Sequence, residues 1–355
     1  MSGFGAGEKG LLWRDADEVI DLAGLGDVFA EPTLNPLMAA GPDAWKQAIE
    51  SAQSHDGPRL QSGAPRLPFA VADYVDFYSS VEHATNLGRM FRPDQEPLLP
   101  NWRWLPVGYH GRAGSVVVSG TDVVRPNGQR KAPDENAPTF GPSRRLDFEL
   151  ELGFVVGVGS RLGEPVPVEA FADHVFGVVL VNDWSARDIQ AWEYVPLGPF
   201  LGKSFQTSIS AWVTPLALLE GARVEAPPKD PQALQYLQDG EDWGLDIALE
   251  VELNGETISR GNARGLYWTM PQQLAHVTSN GARLRTCDLM ATGTISGAEQ
   301  GSQGSLIELT DNGSRPLRLP DGSERCFLED GDEVVLRGRA GGLELGEVRG
   351  RVTPA

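Results

Sequence analysis

Glycine and proline interrupt this chain 42 and 26 times in 355 residues, and breakers at that density leave room for short strands and little for long helices. Between them lie runs that alternate apolar with polar residues or are rich in β-branched ones: 115–124, 147–157, 246–253, 305–309, 332–337 and 345–352. A period of two puts alternate side chains on one face, so each run reads as a strand. Asn254-Gly255, between Glu250-Val251-Glu252-Leu253 and Glu256-Thr257-Ile258, predicts a tight hairpin. Helical pattern is confined to Pro42–Ala52, Pro167–His174, Trp184–Trp192 and Pro271–Ser279, the last closed by Asn280-Gly281. The expected fold class is therefore α+β and β-dominated. A stretch rich in Gly, Pro and Ser, His55–Pro68, follows the first helix and sets a boundary between a small unit, residues 1–68, and a large one, residues 69–355.

Charge narrows the partners. Lys and Arg number 30 against 49 Asp and Glu, a net charge of −19, which repels phosphate backbones and disfavours nucleic acid. The most apolar run, Phe176–Val181, is strand-length and far short of the ~18 residues a membrane span needs. No charged start followed by an apolar stretch marks an export signal. The two cysteines, Cys287 and Cys326, are too few for a disulfide scaffold or a thiolate metal site and suit a reducing cytoplasm. Gly5-Ala6-Gly7-Glu8-Lys9-Gly10 has dinucleotide-motif spacing but no strand before it. Gly198-Pro199-Phe200-Leu201-Gly202-Lys203-Ser204 has three residues between its glycines where a phosphate loop needs four. No Gly-x-Ser-x-Gly elbow is present, so a serine hydrolase is disfavoured.

Carboxylates carry the chemical signal. In Asp147-Phe148-Glu149-Leu150-Glu151-Leu152, alternation puts Glu149 and Glu151 on one face, either as a solvated strand edge or as oxygen ligands for a hard cation. Asp183 ends the most apolar run, where it either caps the helix opening at Trp184 or presents a carboxylate at a strand end. Asp183, Arg187 and Gln190 follow one another at i, i+4 and i+7, a stripe that exposed helices also carry. Upstream, residues 73–83 gather acids, phenols and His83. Imidazole suits proton transfer near neutral pH, provided something orients it. Glu308, in the expected strand 305–309, is an acid among apolar residues and needs a partner if buried.

Read together, Asp73–Asn86, Pro100–Gly120, Asp147–Glu151, Asn182–Ser204 and Gly293–Gly297 resemble the signatures of the fumarylacetoacetate hydrolase family. The run Asn182-Asp183-Trp184-Ser185-Ala186-Arg187-Asp188-Ile189-Gln190 with Trp192-Glu193-Tyr194 is far more specific than any short pattern. The resemblance implies a β-roll-like catalytic domain behind a small SH3-like N-terminal domain, here shortened at its start, and a cytoplasmic homodimer. It implies a metal held by Asp76, Glu149, Glu151 and Asp183, calcium with magnesium as competitor, and a possible second ion near Asp183, Lys203 and Thr207. His83 would be the base, oriented by Glu308. Arg187, Gln190 and Lys203 would stabilise an oxyanion, while Tyr78, Arg92, Tyr109, Tyr194 and Thr294, with Arg187 and Gln190, would hold the substrate. The implied reaction is hydrolysis of a carbon–carbon bond in a β-diketone dicarboxylate, 4-fumarylacetoacetate, to fumarate and acetoacetate in tyrosine and phenylalanine catabolism. The alternatives are an acylpyruvate hydrolase or decarboxylase of the same superfamily, or a non-catalytic metal-binding scaffold.

Overall fold

In the computed structural model, which describes residues 2–15, 18–60, 66–132 and 134–355, the strand Val175–Asp183 is buried along its whole length. Its residues alternate between two cores. Val178 and Leu180 pack with Leu336 and Val348, whereas Phe176, Val179 and Val181 pack with Phe4, Trp13 and Trp45. A strand covered on both faces reads as continuously apolar, which is why this one did. It belongs to an eight-stranded mixed sheet ordered Gly108–His110, Tyr74–Phe77, Leu289–Ala291, Leu150–Val156, Val175–Asp183, Thr207–Ile209 and Val116–Val118, with Thr214–Pro215 paired to the start of the central strand. A five-stranded sheet, Glu256–Asn262, Ala248–Leu253, Glu333–Ala340, Leu343–Thr353 and Val123–Val124, supplies the first core. Its hairpin turns at Asn254 and Gly255, both at positive φ, 54° and 85°, as the Asn-Gly pair requires. The fold is α+β and dominated by strands, as its breakers dictate.

The N-terminal residues form a four-stranded antiparallel sheet, Ser2–Ala6, Leu11–Asp15, Glu18–Asp21 and Arg59–Leu60, followed in space by the helix Pro42–Ser54. Phe4 exchanges both backbone hydrogen bonds with Val213, at 2.9 and 2.8 Å, and its ring lies in the second core with residues of the large sheet. Of the expected boundary His55–Pro68, residues 61–65 lie outside the described ones.

Three local expectations are corrected. Residues 305–309 are a single helical turn, Leu306–Leu309, because its first amides bind the Asp147 carboxylate, a distant partner that an apolar pattern cannot show. The helix expected from Trp184 starts at Arg187. Ser185–Ala186 instead pair with Leu146–Asp147, so Asp183 is the last residue of a strand and caps no helix. The run 147–157 breaks at Phe148–Glu149, where the Asn182 side chain accepts the Glu149 amide at 3.0 Å in place of a ladder partner.

Candidate active site

Strand order brings the acids together at one end of the large sheet. Asp76 lies on Tyr74–Phe77, Glu151 on Leu150–Val156 beside the break that holds Glu149, and Asp183 ends Val175–Asp183. Each offers a carboxylate oxygen, these oxygens lie within 4.8 Å of one another, and all four residues are buried. The alternative of a solvated acidic face is excluded. Burial first, then the neighbouring carboxylates, hold Asp76 and Glu151 well above the usual carboxylate range. Burial also acts to raise Glu149, but Lys203, Arg187 and His83 outweigh it and keep Glu149 below that range.

Two buried cations face these acids. Lys203, from the turn Leu201–Ser204, donates to Glu149 and to Asp183 Oδ2, the latter at 2.6 Å. Asp183 and Glu149 overcome the cost of burying its charge and raise its pKa. Arg187 opens the helix Arg187–Glu193 and pairs through Nη1 with Glu149 Oε1 at 2.8 Å and through Nε with Asp147 Oδ2 at 2.9 Å. Its Nη2 has no hydrogen-bond partner among the described residues. Gln190, one turn on, accepts from Arg187 Nη1 at 3.3 Å.

His83 sits on the helix Val81–Phe91, whose N-terminus is capped by Ser80. Its Nδ1 lies 2.6 Å from Glu308 Oε2, and its Nε2 3.9 Å from Glu149 Oε1. Burial would raise Glu308, but His83 and the hydrogen bonds it accepts hold it down. Glu308 is therefore an anion, Nδ1 carries a proton toward it, and Nε2 is the nitrogen that bears the lone pair in the neutral ring.

These groups border a cavity of about 400 Å³ lined by Tyr78, His83, Arg92, Tyr109, Arg187, Gln190, Tyr194, Lys203 and Thr294, with Asp76 and Glu149 as acids and Leu87, Phe91, Trp102 and Val107 as apolar wall. Gly293, at φ 78° with the Phe77 carbonyl where a Cβ would stand, turns Thr294 to this wall. Asp183 and Thr207 line a second cavity of about 310 Å³ with Tyr74, Tyr109 and Lys203. Asp183 accepts from the Tyr109 hydroxyl at 3.0 Å through Oδ2 and from the Thr207 hydroxyl at 3.2 Å through Oδ1. Glu151 and Glu308 stand behind the walls.

A sequence model of the fumarylacetoacetate (FAA) hydrolase C-terminal family matches residues 73–353. The chain belongs to this family. It is 49% identical over 356 residues to the fumarylacetoacetase of Homo sapiens, covering 93% of this chain and 85% of the human one. It is 46% identical over 373 residues to that of Arabidopsis thaliana, covering 98% and 86%. The fold matches a fumarylacetoacetate hydrolase from psychrophilic Exiguobacterium antarcticum (TM-score 0.61, 18% identity, the whole of both chains) and a maleylpyruvate hydrolase from Sphingobium (TM-score 0.61, 16% identity, 99% and 100%).

Unpaired groups define what is to be bound. Asp76 Oδ1 and both Glu151 oxygens have no donor among the described residues, so this acidic cluster fits a divalent cation. Arg187 Nη2, Arg92 Nε and Thr294 Oγ1 have no partner among the described residues, so the cavity fits an oxygen-rich anion. Sequence reading missed the residues that hold Glu308: Asn86 donates to its Oε1 at 2.9 Å, and Ser296 and Ser305 to its Oε2 at 2.9 and 2.7 Å. Asn86 had a visible signal, standing one turn from His83 on the same helix. The two serines had none.

Proposed function

We propose that this chain has fumarylacetoacetase activity, hydrolysing a carbon–carbon bond of 4-fumarylacetoacetate to fumarate and acetoacetate, the last step of tyrosine and phenylalanine breakdown. The observation that carries this reading is the buried His83–Glu308 pair beside an Arg187 with a free donor, in a cavity floored by carboxylates.

Asp76, Glu149, Glu151 and Asp183 would hold the ion, calcium or magnesium, which when bound supplies Lewis-acid stabilisation of enolate charge. His83 Nε2 takes a proton from water as the oxygen attacks the ketone, and Glu308 stabilises the imidazolium. The oxyanion forms beside Arg187 Nη2, with Lys203 and Gln190 completing its donors. Such preorganised donors are each worth ~10²–10³ in rate. As the carbonyl re-forms, the carbon–carbon bond breaks and its electron pair leaves on carbon. The proton on His83 returns there, giving acetoacetate. Arg92, Tyr78, Tyr109, Tyr194 and Thr294 orient the two carboxylates and the diketone. A second ion at Asp183, Lys203 and Thr207 is less favoured, because the raised pKa of Lys203 keeps a cation there.

The same reading places the enzyme in the cytoplasm as a homodimer of chains with an N-terminal domain, residues 1–68, and a catalytic domain, residues 69–355. Two unpaired cysteines suit a reducing compartment, and among the described residues no helix is long and apolar enough to cross a membrane.

Incubation with fumarylacetoacetate, followed by loss of its absorbance and by proton NMR, should give fumarate and acetoacetate in equal amounts. Chelation should abolish turnover, and calcium or magnesium should restore it. Hydrolysis of acylpyruvates without turnover of fumarylacetoacetate overturns the substrate assignment, and full activity after exhaustive chelation overturns the role of the acids.

A further inference from the structure

Asp147 is wholly buried and lies outside the acidic cluster and the cavity wall, yet its carboxylate accepts four hydrogen bonds. Oδ1 accepts the amides of Phe148 at 2.9 Å and Leu306 at 2.8 Å. Oδ2 accepts the amide of Ile307 at 3.1 Å and Nε of Arg187 at 2.9 Å. Its backbone pairs with Ser185, and the neighbouring Arg145 carbonyl accepts the Arg187 amide at 2.9 Å. Four donors converge on one carboxylate, which is what a charge needs to remain in a dry interior.

Three of these donors come from two separate segments of the site. One is Arg187, whose other edge meets Glu149 and whose Nη2 is free. The other is the turn Leu306–Leu309, whose third residue, Glu308, grips His83 Nδ1. The turn's own bonds, from the Leu309 amide to the Ser305 carbonyl at 3.1 Å and from the Thr310 amide to the Leu306 carbonyl at 2.8 Å, hold its shape but leave its direction to outside partners. Its first two amides are aimed by Asp147.

We propose that Asp147 is a positioning residue for hydrolysis: one carboxylate clamps the oxyanion-binding Arg187 and the turn carrying Glu308, setting base and oxyanion donor against the same carbonyl. The inference rests on the reaction proposed above. Removing the charge while keeping the shape leaves an amide NH₂ facing the donors of Ile307 and Arg187, so the turn and the guanidinium lose their common reference without loss of volume.

The test is Asp147→Asn, alone and with Glu308→Gln, read two ways. In turnover of fumarylacetoacetate, the single substitution should lower kcat ~10²–10³-fold, with KM changed by no more than about threefold. The double variant should fall short of the product of the single losses by about tenfold or more, because both act on His83. Independently of turnover, ¹⁵N-histidine labelling of the five histidines isolates the downfield proton of the His83–Glu308 bond, assigned by its loss in Glu308→Gln. That resonance should shift or vanish in folded Asp147→Asn. Losses that multiply to within about twofold, or an unmoved resonance, overturn the proposal. If the unsubstituted enzyme does not turn over fumarylacetoacetate, the functional reading fails by itself and the resonance still decides the clamp. Should Asp147→Asn not fold, Asp147→Ser, with room for a water among the same donors, enters the same experiments. Failure of both to fold assigns Asp147 to stability alone and overturns the inference.

Discussion

His83 stands between two carboxylates that do different things to it. Glu308 orders Nδ1 at 2.6 Å, whereas Glu149 stays 3.9 Å from Nε2 and is already committed to Lys203 and Arg187. Replacing the imidazole therefore removes the proton acceptor and leaves the acidic cluster intact. His83→Ala should cost ~10²–10⁴-fold in kcat and leave calcium affinity nearly unchanged by isothermal titration calorimetry; near-normal turnover would exclude His83 as base. Strand parity made Glu149 and Glu151 candidates and a strand end made Asp183 one, because these are properties of the chain itself, whereas Asp76 entered the set through the family resemblance. Asp147 shares the parity of Glu149 and Glu151, but its partners lie on segments far away in sequence. A residue away from the site, Asp288, makes its own contribution to the pH dependence of stability. Burial raises Asp288 to about 6, and its Oδ1 has no hydrogen-bond partner among the described residues, with Arg285 Nε 3.6 Å away. The folded state then holds a proton that the unfolded one releases near 4, so stability falls as pH rises from about 4 through about 6. Asp288→Asn should flatten that decline in Tm and raise Tm at pH 8, with little change at pH 4; an unchanged pH profile would show that Asp288 is not its source.

Elements form where local preference and distant partner agree. The hairpin at Asn254-Gly255 was readable because both residues accept positive φ, and Asn254 also ties the turn to Asp332 at 2.9 Å. At Gly255, φ is 85° and a Cβ would meet nothing within 4 Å, so its cost is conformational alone. Gly255→Ala should lower unfolding free energy by ~1–2 kcal/mol in urea titration, with kcat unchanged. A loss near zero would mean the turn relaxes to another type. The turn Leu306–Leu309 and the late start of the helix Arg187–Glu193 were illegible for a common reason. Each is decided by a bond to the segment 145–147, and a window of neighbouring residues contains no trace of it.

The two cores meet through the central strand, and this links the ends of the chain energetically. Phe4 is wholly buried against Trp13, with ring centroids 4.8 Å apart, and Phe176 at 6.0 Å, while its backbone is bonded to Val213. Val179 and Val181 on the same strand face Phe4's core, and Val178 and Leu180 face the other. Loosening the N-terminal sheet thus bares one face of the strand that ends at Asp183. A sequence boundary at residue 68 marks a change of composition, whereas cooperativity follows shared packing. Calorimetry should show one unfolding transition for the unsubstituted chain. Phe4→Ala should destabilise that same transition by ~3–5 kcal/mol and weaken divalent-cation binding only as the whole fold melts. A second, earlier transition confined to Phe4→Ala would mean that the N-terminal sheet can leave while the strand ending at Asp183 stays covered.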